Sequence, residues 1–176
     1  MRSEYELSDR PRSSRVEAIT GVKALLVLIG FVACGFAAAQ DPEASIHAAL
    51  DGLHESAAAS EMDRYFGHYT EDAVFLGTDA SERWTVDEFR VYAAPAFTSG
   101  KGWVYGVRSR NLIQTGSPEI FAFDEVLFNE KLGLCRGSGL IVKKAGQWRI
   151  SQYVLSMLIP NKLAAEVGQQ SIPHSE

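Results

Sequence analysis

The stretch WVYGVRSRNLIQTGSPEIFAFDEVLFNEKLGLCRGSGLIVKKAGQWRISQYVLSMLI, Trp103 to Ile159, decides the fold. Its β-branched and aromatic residues gather into four runs: Trp103 to Gln114, Glu119 to Asn129, Leu132 to Lys143, and Gln147 to Ile159. The breaks between them, Thr115-Gly116-Ser117-Pro118, Asn129 to Gly133, and Lys144-Ala145-Gly146, consist of turn formers. Such runs read as strands joined by hairpins, so an antiparallel meander is expected. The second run is apolar on both faces: Ile120, Ala122, Val126 and Phe128 alternate with Phe121, Phe123 and Leu127. One face then needs covering by helices and the other by a partner chain.

The helices lie upstream. Ile46, Ala49, Leu50, Leu53 and Ala57 recur at the spacing of a helix with one buried face. Ser60 is an N-cap candidate for a second, shorter helix whose inward side is Met62, Tyr65, Phe66 and Tyr69. A short strand, Ala73 to Leu76, and a turn-rich segment, Gly77 to Ser81, follow. Thr85-Val86-Asp87-Glu88 fits a capping box that opens a third helix through Phe89, Tyr92 and Phe97. Pro95 is expected to kink or end it, because proline removes an amide donor and collides with the preceding turn. Helices first and a curved antiparallel sheet afterwards define an α+β class with the helices on one sheet face. After Pro160, one helical turn at Leu163 to Val167 is expected, with a disordered tail over 168–176.

Lys23 to Ala39 reads KALLVLIGFVACGFAAA, a basic residue, an apolar run and then small residues, the layout of a secretory signal peptide. The expected cut falls before Gln40, leaving 22–39 as the leader and an exported, periplasmic or extracellular chain without a membrane anchor. The run is short for a span, which takes about 20 residues. Residues 1–21 carry nearly balanced charge and no apolar period, and a start at Val22 would give a conventional leader. Cys34 follows Phe31-Val32-Ala33, a departure from the lipoprotein box at Phe31. Beyond it Cys135 stands alone, so the exported chain has no internal disulfide and packing must supply its stability.

Taking away the five basic and four acidic residues before Gln40 leaves 12 Lys and Arg against 18 Asp and Glu, a net charge near −6. Such a surface repels phosphate backbones and argues against nucleic-acid binding. His47 and His54 lie seven apart on the first helix, whereas helical metal ligands prefer a spacing of three or four, so no metal site is expected and no cofactor motif is present.

Three segments together resemble the SnoaL-like branch of the nuclear transport factor 2-like superfamily: TEDAVFLGTDASERW at Thr70 to Trp84, WVYGVRSRNL at Trp103 to Leu112, and the run from Phe123 to Asn161. The resemblance covers nearly all of 41–167. It implies a cone, with helices closing over a curved sheet around a pocket, commonly in a homodimer. The superfamily includes ketosteroid isomerase, polyketide cyclases, epoxide hydrolases and many proteins of no known activity, so fold membership leaves function open.

Asp124 and Glu125 are adjacent carboxylates in an aromatic strand, and alternation sends one to each face. An inward carboxylate has its pKa raised by desolvation, as an acid or base near neutral pH requires, and ketosteroid isomerase is the superfamily precedent. These two are therefore the catalytic candidates. The competing reading is a cross-strand ion pair, with Arg136 opposite Glu125 for a turn centred on Glu130-Lys131. Gly137 and Gly139 mark a bend or a close approach inside a strand. Arg136 and Ser138 share one face, and Gln152 and Ser156 are placed with Trp148, Ile150 and Val154. A hairpin centred on Ala145 puts Gln152 beside Ser138, a polar cluster for an apolar pocket. Trp84 is a pocket wall or core. Where the family pattern carries a polar residue after Gln152-Tyr153, this chain has Val154, which removes one candidate proton carrier. The expected function is an exported, homodimeric pocket protein for a small apolar or mixed-polarity ligand, contacted by Trp84, Arg136, Ser138, Gln152 and Ser156. The alternatives are an acid–base isomerase or hydrolase using Asp124 or Glu125, and a dimeric protein-interaction module.

Overall fold

The computed structural model describes residues 41–172; the segment 1–21, the signal peptide expected over 22–39, Cys34 and the last four residues of the expected tail lie outside them. The elements run α1 (Pro42–Ala58), α2 (Met62–Phe66), β1 (Tyr69–Leu76), β2 (Arg83–Thr85), α3 (Val86–Thr98), β3 (Gly106–Gln114), β4 (Ile120–Asn129), β5 (Gly133–Lys144), β6 (Gln147–Met157) and α4 (Asn161–Gln170). Asp41 caps α1 through the Glu43 amide, with Pro42 in the first turn where its missing N–H costs nothing. Ile46, Leu50, Leu53 and Ala57 are buried along one side, as the periodicity requires.

α2 differs from expectation at its start. Its N-cap is Glu61, and Ser60 instead takes a left-handed backbone (φ 58°) with its Oγ accepting from the Gly102 amide at 2.9 Å. The capping box at α3 is complete, with Thr85 and Glu88 each satisfying the other's backbone. Pro95 does not end that helix, which continues to Thr98. α4 is longer than the single turn expected: ten residues, reaching Gln170 and so running into the segment read as tail, with none of them buried.

Six strands form one sheet in the order β2-β1-β6-β5-β4-β3. The meander β3 to β6 is antiparallel throughout, while β1 joins β6 in parallel, so the sheet is mixed at that pair. β2, three residues long, was not legible as a strand. Three register irregularities, the clearest between Leu140 and Ile141 where Ser151 is left over on β6, fall along the sheet. Bulges of this kind increase local twist and bend a sheet. The core sits between the helices and one sheet face: Phe89, Ala93 and Phe97 from α3 meet the α1 stripe, Tyr65 and Phe66 of α2, and Phe75, Phe123, Ile150 and Tyr153 of the strands.

Candidate active-site cavity

On that inner face the helices do not fill the cone. A cavity of about 790 Å³ is walled by Tyr65, Phe75, Trp84, Phe89, Trp103 and Tyr153, among other apolar groups. Several of these rings are nearly parallel: Trp84 to Phe89 at 5°, Phe89 to Trp103 at 1°, and Phe75 to Tyr153 at 0°. Polar lining is sparse and comes partly from turns, with Thr78 and Glu82 after β1, Asn129 at the end of β4, and Glu130 and Lys131 between β4 and β5. His54, on α1, is the imidazole in the wall.

Behind His54 lies a buried charge network. Glu125 has no solvent exposure. Its Oε1 accepts from Arg110 Nε at 2.7 Å, with Nη2 also 2.7 Å away as an ion-pair contact. Its Oε2 accepts from His54 Nε2 at 2.9 Å and, more weakly, from the Tyr153 hydroxyl at 3.4 Å. Arg110 Nη1 continues outward to Asp51 at 2.9 Å and to the His47 carbonyl at 3.1 Å. His47, Asp51 and His54 thus present one stripe of α1 to two strand residues that face each other, since Arg110 and Glu125 are register partners. Burial alone would raise the Glu125 pKa, but the hydrogen bond from His54 and the charge and hydrogen bond of Arg110 outweigh it and hold the carboxyl below its ordinary value. Burial pushes the neighbouring Tyr105 phenol up to about 12 and the Tyr153 phenol well above its usual value.

Several expected site residues stand elsewhere. Glu125 does point inward, but as an ionised group saturated by Arg110, His54 and Tyr153, the opposite of a carboxyl raised toward neutrality. Asp124 lies on the outer face, 3.1 Å from Arg136 and within reach of Asn111. The register places Arg136 opposite Val126, and Gly137 opposite Glu125, so the ion pair formed is Asp124 with Arg136. Ser138 shares that outer face, across from Asp124 and Val154. Gln152 and Ser156 also turn outward. The bulge at Ser151 shifts the alternation by one residue, so Trp148 and Ile150 are buried inward but Gln152 pairs with Leu140 and Ser156 with Arg136. Arg136, Ser138, Gln152 and Ser156 therefore do not line the cavity, and of the five expected ligand contacts Trp84 alone does.

Both strand glycines answer to close approach. A Cβ on Gly137 would occupy the place of the Tyr153 hydroxyl, and one on Gly139 would strike the Gln152 carbonyl beside the bulge. Cys135 is buried, with its thiol pKa raised by burial. Among the described residues no group of three or more His, Cys, Asp or Glu is placed to hold a metal ion.

The family profile for the SnoaL-like domain matches residues 46–160, and the chain belongs to that family. No curated protein matches it. Among solved structures, a nuclear transport factor 2-like protein of unknown function from Pseudomonas putida superposes with a TM-score of 0.57 at 11% identity, over 68% of this chain and 89% of that one. A proposed scytalone dehydratase from Novosphingobium aromaticivorans gives 0.57 at 12% identity, over 66% and 84%. A ketosteroid isomerase-like protein from Erwinia carotovora atroseptica gives 0.50 at 22% identity, over 66% and 96%. At such identities the likeness concerns the fold. The helical addition α4 begins just beyond the family-matched span.

Proposed function

We propose that this protein is an exported small-molecule-binding protein that takes a compact, largely apolar ligand into the cone. The observation that carries the reading is the cavity: about 790 Å³, within the range of ligand sites, walled by parallel aromatic rings with few polar groups between them. Left empty, an open cavity of this size leaves aromatic wall in contact with water, which an apolar ligand would cover. Export rests on the layout of Lys23 to Ala39. A thermal-shift screen of apolar metabolites against the mature chain tests the reading, since a ligand at 100 times its dissociation constant stabilises a fold by about 2.7 kcal/mol. A wide panel without a single stabilising compound would count against it.

The outer sheet face favours a homodimer. Ile113, Leu134 and Leu140 are exposed there beside Val126, Val142 and Val154, with the Asp124 and Arg136 pair among them. A face carrying one acid and one base amid apolar groups complements itself under a two-fold axis. Light scattering at micromolar concentration is expected to give twice the chain mass, and Leu140→Glu is expected to return the monomer.

A further inference from the structure

The geometry points to His54 as the group that recognises the ligand, by accepting a proton from a weakly acidic hydroxyl, a phenol or an enol, through Nδ1. This inference rests on the pocket reading and specifies its chemistry.

This role depends on which nitrogen of the ring carries hydrogen. Glu125 is ionised and can only accept, and its Oε2 lies 2.9 Å from His54 Nε2. Nε2 therefore carries a hydrogen in the neutral ring, and Nδ1 is left with a lone pair. Nδ1 has no hydrogen-bond partner among the described residues, and it is not among the sealed polar atoms that lack one. His54 is one of the residues that line the cavity. An acceptor is thus offered in an aromatic enclosure where the nearby phenols, Tyr105 and Tyr153, are held protonated by burial. The Tyr153 hydroxyl is already turned to Glu125.

Arg110 supplies the ion pair to Glu125, and its other carboxylate contact, Asp51, is half in solvent. A hydroxyl placed against Nδ1 would break its O–H bond, form N–H on Nδ1, and leave an oxyanion beside an imidazolium whose other N–H is steadied by Glu125. Release of the ligand reverses the transfer, so nothing else is consumed. The charged and titratable groups around the ring are Glu125, Arg110 and, through Arg110, His47 and Asp51, with Tyr105 6.5 Å away between ring centres.

The test uses 4-nitrophenol, whose anion absorbs at longer wavelength, and 4-nitroanisole, the same shape with a methyl in place of the proton. Wild type is expected to bind the phenol more tightly than the anisole and to show the anion band below the pH at which free nitrophenol ionises. His54→Gln keeps an amide donor near the position of Nε2 while removing Nδ1. Once its melting transition shows it to be folded, it is expected to retain nitroanisole binding while losing the anion band and about tenfold or more in nitrophenol affinity. An anion band that survives in His54→Gln, or a wild type that binds both probes equally, overturns the role of His54 and leaves the pocket intact. Failure of wild type to bind either probe removes the inference and weakens the pocket reading with it.

Discussion

His54 Nε2 and Glu125 Oε2 stand 2.9 Å apart, tying the C-terminal part of the first helix to the middle of the fourth strand across 71 residues of chain. The contact orients the ring of a residue in the cavity wall, and it adds a hydrogen bond to a carboxylate that Arg110 pairs and from which water is excluded.

The two carboxylates, adjacent in sequence, differ in energetic worth. Arg110→Leu leaves Glu125 buried without its cation and is expected to cost about 3–5 kcal/mol. Arg136→Leu removes the partner of Asp124 on a half-exposed face and is expected to cost at most about 1 kcal/mol. Urea denaturation of the two variants checks the contrast, and equal costs would mean that the inner network is not the stabilising one.

Stability should fall on the acid side through Glu125. Its folded pKa lies below its ordinary value, so as pH drops the unfolded chain takes up the proton first. The contribution is complete above the usual glutamate range, about pH 4.3 and higher, and disappears as pH falls through the folded value. Glu125→Gln is expected to flatten that part of the stability profile, measured by denaturant midpoints from neutral pH to pH 3. An unchanged acid limb would contradict the assignment.

His68 acts at a higher pH. Burial first, then Arg149 and Arg64, lower its pKa, so the unfolded chain is protonated before the folded one. The stability associated with its neutral form is present above about pH 6.5 and declines below it. Replacing it by Gln is expected to reduce the loss of melting temperature between pH 7 and 5.5, and no reduction would assign that loss to other groups.

Much of this arrangement was written in local pattern. The stripe Ile46 to Ala57, the capping box at Thr85, and the four strand runs each follow from spacing and turn chemistry, and their boundaries moved by only a few residues. The site was less legible because it depends on phase and partnership. Alternation required one of Asp124 and Glu125 to point inward without saying which, and nothing local indicated that Arg110, fifteen residues earlier, would meet Glu125. One extra residue at Ser151 reversed the faces of Gln152 and Ser156, and a bulge leaves no clear mark in the string Arg149-Ile150-Ser151-Gln152. His54 carried a usable signal: with Leu50 and Ala57 it lies at the i, i+4, i+7 spacing of the buried stripe. Judged for metal binding alone, it was passed over.

Gly137 is the residue that makes room for Tyr153 beside Glu125. Gly137→Ala would drive the Tyr153 ring off its place, and overpacking of this kind costs about 1–3 kcal/mol. The change is expected to be partly relieved by Tyr153→Phe in the same chain, because the nearest colliding atom is the hydroxyl, with the ring Cζ behind it. Full additivity of the two substitutions in denaturant unfolding would refute that link.

The central claim is that the aromatic enclosure is a ligand site and not merely an imperfectly filled core. It is most directly tested by titrating the mature chain with a fluorescent naphthalene derivative, following energy transfer from Trp84 and Trp103, alongside Leu155→Trp, which puts a bulky ring into the cavity wall. Saturable one-to-one binding by wild type, abolished in a folded Leu155→Trp, is the expected result. Equal binding by both proteins, or none by wild type, would contradict the account.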